Sequence, residues 1–364
     1  MKTIKMTNYS FSQEGYPQLA EICKEYGYHK VVLVGGEKAM KAATPKIRKA
    51  LEGSTVEITG ELVYGKECTD NNIDRLLGRK EVQISDVIFT IGGGKAMDTG
   101  KVLAYRAGKQ TFTFPTICSN CAAVTAIAVV YHEDGSLSHY EQIPAPAHMF
   151  VDTEIIAQAP DKYMWAGVGD GLSKQVEVEF ATQGAEDLDH TARTGLMLSK
   201  SCQDAFLTYG EKAIDDVKNN INSRAVEEVA MTILVNTGYV SNLTNQPEYY
   251  YNSSLAHIFY NVSTAIPREG EHLHGAVVAL GVMVLHAYNH NLEELERIAT
   301  FNKRVGLPIT LDDIGLEPSD IEKMVELAPN TNEWKWANPP LSKEKLTQAI
   351  FEADAYGKKL YAIG

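Results

Sequence analysis

Residues Val87–Lys101 read Val-Ile-Phe-Thr-Ile-Gly-Gly-Gly-Lys-Ala-Met-Asp-Thr-Gly-Lys, an apolar strand leading straight into three glycines and a helix-compatible segment. Residues without side chains at a strand-to-helix corner let backbone N–H groups lie against a phosphate. The dipole of the helix that follows favours the same negative charge. The run is neither a GxGxxG fingerprint nor the GxxxxGK[ST] loop of ATP-hydrolysing enzymes. A tight turn with no ligand is the plain alternative, but the corner points to a nucleotide-type ligand.

The pattern around it agrees. Lys30–Val34 reads as a strand ending at Gly35-Gly36, and Glu37–Leu51 as a helix. Thr55–Ile58 follows as a strand, Asn71–Leu77 as a helix, and Thr111–Phe114 as a strand stopped by Pro115. Val129–Tyr131 and Ser138–Tyr140 flank His132-Glu-Asp-Gly135, which predicts a hairpin. Alternation of this kind implies a largely parallel sheet with helices on both faces, and ligands beyond the carboxyl ends of its strands. From Pro160 onward helical patterns take over: Asp161–Ala181, Thr191–Tyr209, Ser223–Thr237, Ser254–Asn261, His274–His290 and Leu292–Val305. Ala328–Ser342, with three prolines, reads as a surface loop before a final helix. At 364 residues the chain is too long for one core. We expect an α/β domain over residues 1–158 and an all-α domain over 159–364.

Several function classes are disfavoured. A net charge of −13 argues against non-specific nucleic-acid binding. No run of 18 apolar residues suggests a membrane span, and Met1–Ser10 lacks a signal-peptide pattern. Five cysteines, an odd number without framework spacing, suit a reducing cytoplasm. Cys118-Ser-Asn-Cys121 has CxxC spacing, but it is only half of a four-cysteine zinc site, and nothing else supports a thioredoxin-like role.

The second half carries candidate metal ligands. Asp170 sits among glycines in Gly167-Val-Gly-Asp-Gly-Leu-Ser-Lys174, and His257 and His274 lie on separate predicted helices. One carboxylate and two imidazoles make a catalytic-zinc set with a fourth position left for substrate. Spacing alone does not separate these histidines from His272, His286 or His290.

Five motifs together resemble the iron/zinc-containing (group III) alcohol dehydrogenases, in particular their glycerol dehydrogenase branch. They are Gly92-Gly-Gly-Lys-Ala-Met-Asp-Thr99, Pro115-Thr-Ile-Cys-Ser119, Gly167–Lys174, Ala256-His257 and His274-Gly275. Their order and spacing span essentially the whole chain. The resemblance implies an N-terminal Rossmann-like domain, a helical C-terminal domain of the dehydroquinate synthase-like fold, and a cleft between them. It places the metal ligands, and with them catalysis, on Asp170, His257 and His274, with zinc ahead of iron as the divalent metal. It places the dinucleotide contacts on Gly92, Gly93, Gly94, Lys95, Asp98, Thr116, Ser119, Thr125, Ile127 and Tyr131, and the acidic ribose contact on Glu37. A carboxylate accepts from a ribose 2′-OH and repels a 2′-phosphate, so NAD is expected over NADP, although Lys38 adjoins it.

Two positions depart from the glycerol dehydrogenase pattern. Cys121 stands where that branch has a polyol-contacting aspartate, and Tyr260 where it has a second histidine. Pro115–Tyr140 looks more like the hydroxycarboxylate dehydrogenase branch, and loss of a negative charge suits a carboxylate-bearing substrate. A tolerated packing substitution at Cys121 is the alternative. The resulting expectation is a cytoplasmic, homo-oligomeric, metal-dependent NAD(P)-linked oxidoreductase acting on small 2-hydroxy or 2-oxo acids. Tyr260, His272 and water at the metal are the candidates for moving the proton. The alternatives are glycerol or another small polyol as substrate, a dehydroquinate synthase-type lyase, and a non-catalytic nucleotide-binding or thiol-sensing protein.

Overall fold

The computed structural model describes residues 3–363. The chain divides into two compact units: residues through Tyr163 together with Asp215–Tyr239, and Met164–Ile214 together with the residues from Val240 onward. The first unit therefore extends five residues past the expected boundary at 158 and includes a later segment. Within it, the helix Arg224–Met231 packs on the short helix Thr153–Ala157.

The first unit is built on a parallel sheet of six strands: β1 (Asn8–Ser12), β2 (Lys30–Gly35), β3 (Glu57–Val63), β4 (Val87–Gly92), β5 (Gln110–Pro115) and β8 (His148–Asp152). Strands β6 (Ile127–Tyr131) and β7 (Leu137–Gln142) form the expected antiparallel hairpin outside it. The sheet order is β1-β8-β5-β4-β2-β3. Alternate residues of the central strands feed two cores. Val31, Leu33, Val87, Phe89 and Ile91 pack with Leu19, Ile22, Met40 and Ile47 from the helices Leu19–Glu25 and Glu37–Leu51. Val32, Val34 and Ile88 pack with Leu76, Val82 and Leu103 from the helices Asp70–Leu77, Lys80–Ile84 and Gly94–Arg106. Covering both faces is why β2 and β4 read as near-continuous apolar runs, broken only by Thr90.

The connections create one special place. From β2 the chain passes to β3 on one side, then returns to lay β4 on the other. The carboxyl ends of β2 and β4, paired at Gly35 and Ile91, are thus the topological switch point where such sheets bind ligands.

The second unit is helical, apart from a two-residue ribbon of Asn245–Gln246 with Tyr249–Tyr250. Its centre is the helix His274–Tyr288, buried at every position from Gly275 onward. Apolar all round, as a fully enclosed helix must be, it is packed by Ser173–Thr182, Leu255–Ser263, Leu292–Val305 and Lys343–Ile363. Three expected helices are interrupted. The one expected over Thr191–Tyr209 is split into His190–Ser199 and Gln203–Lys218. Asp161–Gly171 and Ser173–Thr182 meet at Leu172, and Arg224–Met231 runs through a π-helical turn, Thr232–Asn236, into Thr237–Thr244. The proline-containing stretch expected as a loop carries the short helices Ala328–Asn330 and Asn332–Trp336. Among the described residues no helix is long and apolar enough to cross a membrane.

Candidate active site

Asp170, His257 and His274 come from three helices of the second unit, and small residues bring those helices together. A Cβ on Gly169 would strike the carbonyl oxygen of Gly275, and one on Gly275 would strike that of Ala166. The mutual absence of side chains seats the end of Asp161–Gly171 against the start of His274–Tyr288, and so sets Asp170 beside His274. A Cβ on Gly281 would lie 2.6 Å from Ala256 O, so the helix bearing His257 is held just as closely.

The three side chains offer one donor atom each within 4.8 Å of one another. Asp170 Oδ1 lies 3.1 Å from His274 Nε2 and 3.6 Å from His257 Nε2. Tetrahedral zinc with bonds near 2.0–2.1 Å separates its ligand atoms by roughly 3.3 Å, so the donor set and its spacing fit a divalent cation. Among the described residues this is the one such converging group. The other histidines do not join it. His286 is buried toward the far end of its helix, His290 is exposed, and the His272 ring meets the carbonyl of Glu269 at 2.8 Å.

Glu177, fully buried, was not among the residues singled out from sequence. Its Oε2 lies 2.6 Å from His257 Nδ1, and its Oε1 accepts the N–H groups of Ser254 (2.8 Å) and His257 (3.0 Å). One carboxylate thus caps the helix Leu255–Ser263 and turns the His257 ring so that Nε2 faces Asp170. Burial opposes charge on the His257 ring, but Glu177 and Asp170 push its pKa up to about 9. Burial would likewise raise Asp170, yet His274, His257 and Lys174 hold it below the ordinary carboxylate range. Lys174 donates to the Asn252 side chain at 2.7 Å and its carbonyl at 3.2 Å. The Tyr260 ring meets His274 edge-on, with centroids 4.1 Å apart.

The nucleotide candidates collect at the switch point of the first unit. Gly92 ends β4 with φ +147°, where L side chains are strained, and its carbonyl accepts the N–H of Thr116 at 3.0 Å. Gly93 caps the helix Gly94–Arg106, and a side chain there would strike Ile117. Glu37, exposed, opens the helix that follows β2. These positions put a helix N-terminus and a bare backbone at the carboxyl end of β4, and an acidic residue at the start of the helix after β2.

Comparison with known proteins decides the lineage. Residues 7–153 match the family described as "Iron-containing alcohol dehydrogenase". A glycerol dehydrogenase of Thermotoga maritima is 34% identical over 308 residues, 81% of this chain and 82% of that one. The chain belongs to the iron-containing alcohol dehydrogenase family. Hydroxycarboxylate dehydrogenase A of Escherichia coli is 28% identical over 87% of both chains. The crystal structure of a probable glycerol dehydrogenase from Sinorhizobium meliloti superposes with a TM-score of 0.83 at 25% identity, covering 99% of this chain and 100% of that one.

As a member of the iron-containing alcohol dehydrogenase family the protein is an NAD(P)-linked oxidoreductase acting on CH–OH groups. Several candidate contacts in this dehydrogenase already have partners within the chain. Asp98 pairs with Lys101 at 3.0 Å and accepts the N–H of Val129 at 3.2 Å. Lys101, fully buried, donates to Ile127 O (2.6 Å), Thr125 Oγ1 (3.1 Å) and Thr125 O (3.3 Å). Asp98, Thr125 and Ile127 therefore fasten the hairpin β6–β7 to the glycine-led helix. Lys95, more than half exposed, forms an ion pair with Glu67. Thr116 is nearly buried, Ser119 partly exposed, and the Tyr131 N–H is held by Cys68 O at 2.8 Å. None of the five cysteines is in a disulfide, and burial pushes Cys118 up to about 12. Cys121 is partly exposed, in a loop tied down by Thr113 to Ala123 O and Thr7 to Val124 O.

Proposed function

We propose that this dehydrogenase interconverts small 2-oxo and 2-hydroxy acids with NAD(H), using a divalent metal, zinc ahead of iron, held by Asp170, His257 and His274. In the reductive direction the carbonyl carbon gains a hydride from NADH and its oxygen gains a proton, leaving NAD+ and the 2-hydroxy acid. A metal held there would supply Lewis acidity to a substrate oxygen. The chain's own residues do the rest. Asp170 contributes the negative charge of the donor set, Glu177 fixes the orientation of His257, and Tyr260 packs the His274 ring in place. The open backbone of Gly92–Gly94 and the helix that follows favour the dinucleotide phosphates, and Glu37 favours a free ribose 2′-OH.

The observation that carries the substrate class is Cys121, a thiol in Ser119-Asn-Cys-Ala-Ala where the polyol-acting branch has an aspartate. A carboxylate there would accept from hydroxyls and repel an anion, and this chain lacks it. The likeness to hydroxycarboxylate dehydrogenase A supports the same reading. A second reading, oxidation of glycerol or another small polyol, is favoured by the name of the Thermotoga maritima relative. Five cysteines outside any disulfide suit a reducing cytoplasm, and assembly into a homo-oligomer is part of the proposal.

Steady-state kinetics on metal-loaded enzyme with 2-oxobutanoate, pyruvate, dihydroxyacetone and glycerol, each with NAD(H) and NADP(H), decide between them. The 2-oxo acids should show kcat/KM about tenfold or more above dihydroxyacetone, with NADH preferred to NADPH. The opposite order of substrates establishes the polyol reading.

A further inference from the structure

Arg268 lies in the connection between the helix Leu255–Ser263, which carries His257 and Tyr260, and the helix that begins at His274. It is half-buried. Its guanidinium donates from Nη1 to Ile314 O at 3.2 Å and from Nη2 to Ser263 Oγ at 3.1 Å. Both acceptors are neutral, and among the described residues no carboxylate stands within ion-pair distance. A guanidinium has five N–H donors, so roughly three are left without a protein acceptor. Half-shielded from water and without a counter-charge, this guanidinium has donors to offer an arriving anion.

Direct contacts lead from this residue to the candidate metal centre. The Ser263 hydroxyl that Arg268 holds donates in turn to Tyr260 O at 2.7 Å. The Tyr260 ring rests on His274, and His274 meets Asp170 at 3.1 Å. Lys174 has its amino group occupied by Asn252.

We propose that Arg268 is the specificity-determining residue of this active site and binds the carboxylate of the 2-oxo acid. The inference rests on the 2-oxo-acid reading above. The planar guanidinium fork matches a carboxylate in a way that a hydroxymethyl group does not, so it separates acids from polyols and hydroxyketones by charge and by shape.

The test compares 2-oxobutanoate with 1-hydroxy-2-butanone, which differ only in carboxylate against hydroxymethyl, in wild type, R268Q and R268K loaded with zinc. Wild type should favour the acid. R268Q should raise the ratio of the acid KM to the hydroxyketone KM by about 10- to 100-fold, the loss expected for a charge-assisted hydrogen bond. R268K, which keeps the charge without the fork, should give an intermediate ratio, and it carries the test alone if R268Q does not fold. Wild type favouring the acid with an unchanged ratio in the variants overturns the assignment and leaves Arg268 as a pin between Ser263 and Ile314. Wild type favouring the hydroxyketone overturns the acid reading and this inference with it.

Discussion

Glu177 and His257 are joined at 2.6 Å through Oε2 and Nδ1, and that contact selects which ring nitrogen faces Asp170. A carboxylate accepts only, so it fixes the proton of the neutral ring on Nδ1 and leaves the Nε2 lone pair for a cation. The same carboxylate holds two N–H groups at the start of the helix.

Replacing Glu177 should therefore act on metal affinity before anything else. E177Q is expected to weaken zinc binding about 10- to 100-fold, measured by competition with a chromogenic chelator. E177A should also lose about 1–3 kcal/mol of stability, because Ser254 and His257 are left with buried N–H groups and no acceptor. Wild-type zinc affinity in E177Q would remove Glu177 from the site.

How much of this was legible beforehand follows from what each signal depends on. β2 and β4 are rich in β-branched and other large apolar residues because both their faces are covered, and they end at glycines, so pattern alone locates them. β1, Asn-Tyr-Ser-Phe-Ser, alternates apolar and polar residues on a sheet edge, and β8 is five residues long close after two prolines. Both are strands because of what they pair with. Asp170 and His274 stood out because glycines flank them, and those same glycines allow the close helix contact. Glu177 gave no such mark. It reads as any helix glutamate seven residues after Asp170, and only tertiary packing makes it a buried cap. Arg268 likewise has meaning only once its missing counter-charge can be seen.

The glycine contact has its own consequence. Gly275→Ala would drive a methyl group into Ala166 O and force apart the helices that carry Asp170 and His274. We expect a loss of about 1–3 kcal/mol in urea denaturation together with weakened zinc binding. A variant with wild-type stability and wild-type zinc affinity would show that the two helices do not need this approach.

Stability should also fall with acidification in a defined window. His286 is 4% exposed, its Nε2 has no partner, and burial pushes its pKa down to about 4; Glu294 opposes that shift and Arg297 adds to it. Unfolded, the ring binds a proton near 6.5, so the unfolded chain holds more protons between about pH 6.5 and 4. The contribution is fully present above 6.5 and is lost as pH falls toward 4, by up to about 3 kcal/mol. Carboxylates titrate in the same range, so the comparison is with H286Q. Wild type should lose more unfolding free energy than H286Q across that window, and parallel pH profiles would contradict the assignment.

The central claim is that hydride transfer depends on a metal held by Asp170, His257 and His274. Zinc content and NADH oxidation measured together in wild type and His274→Ala, with and without chelator, test it most directly. The account predicts one divalent ion per wild-type chain, with turnover lost in chelator and restored by zinc. His274→Ala should melt as a folded protein yet bind little metal and turn over little substrate. Full activity of His274→Ala in the presence of chelator would contradict the account.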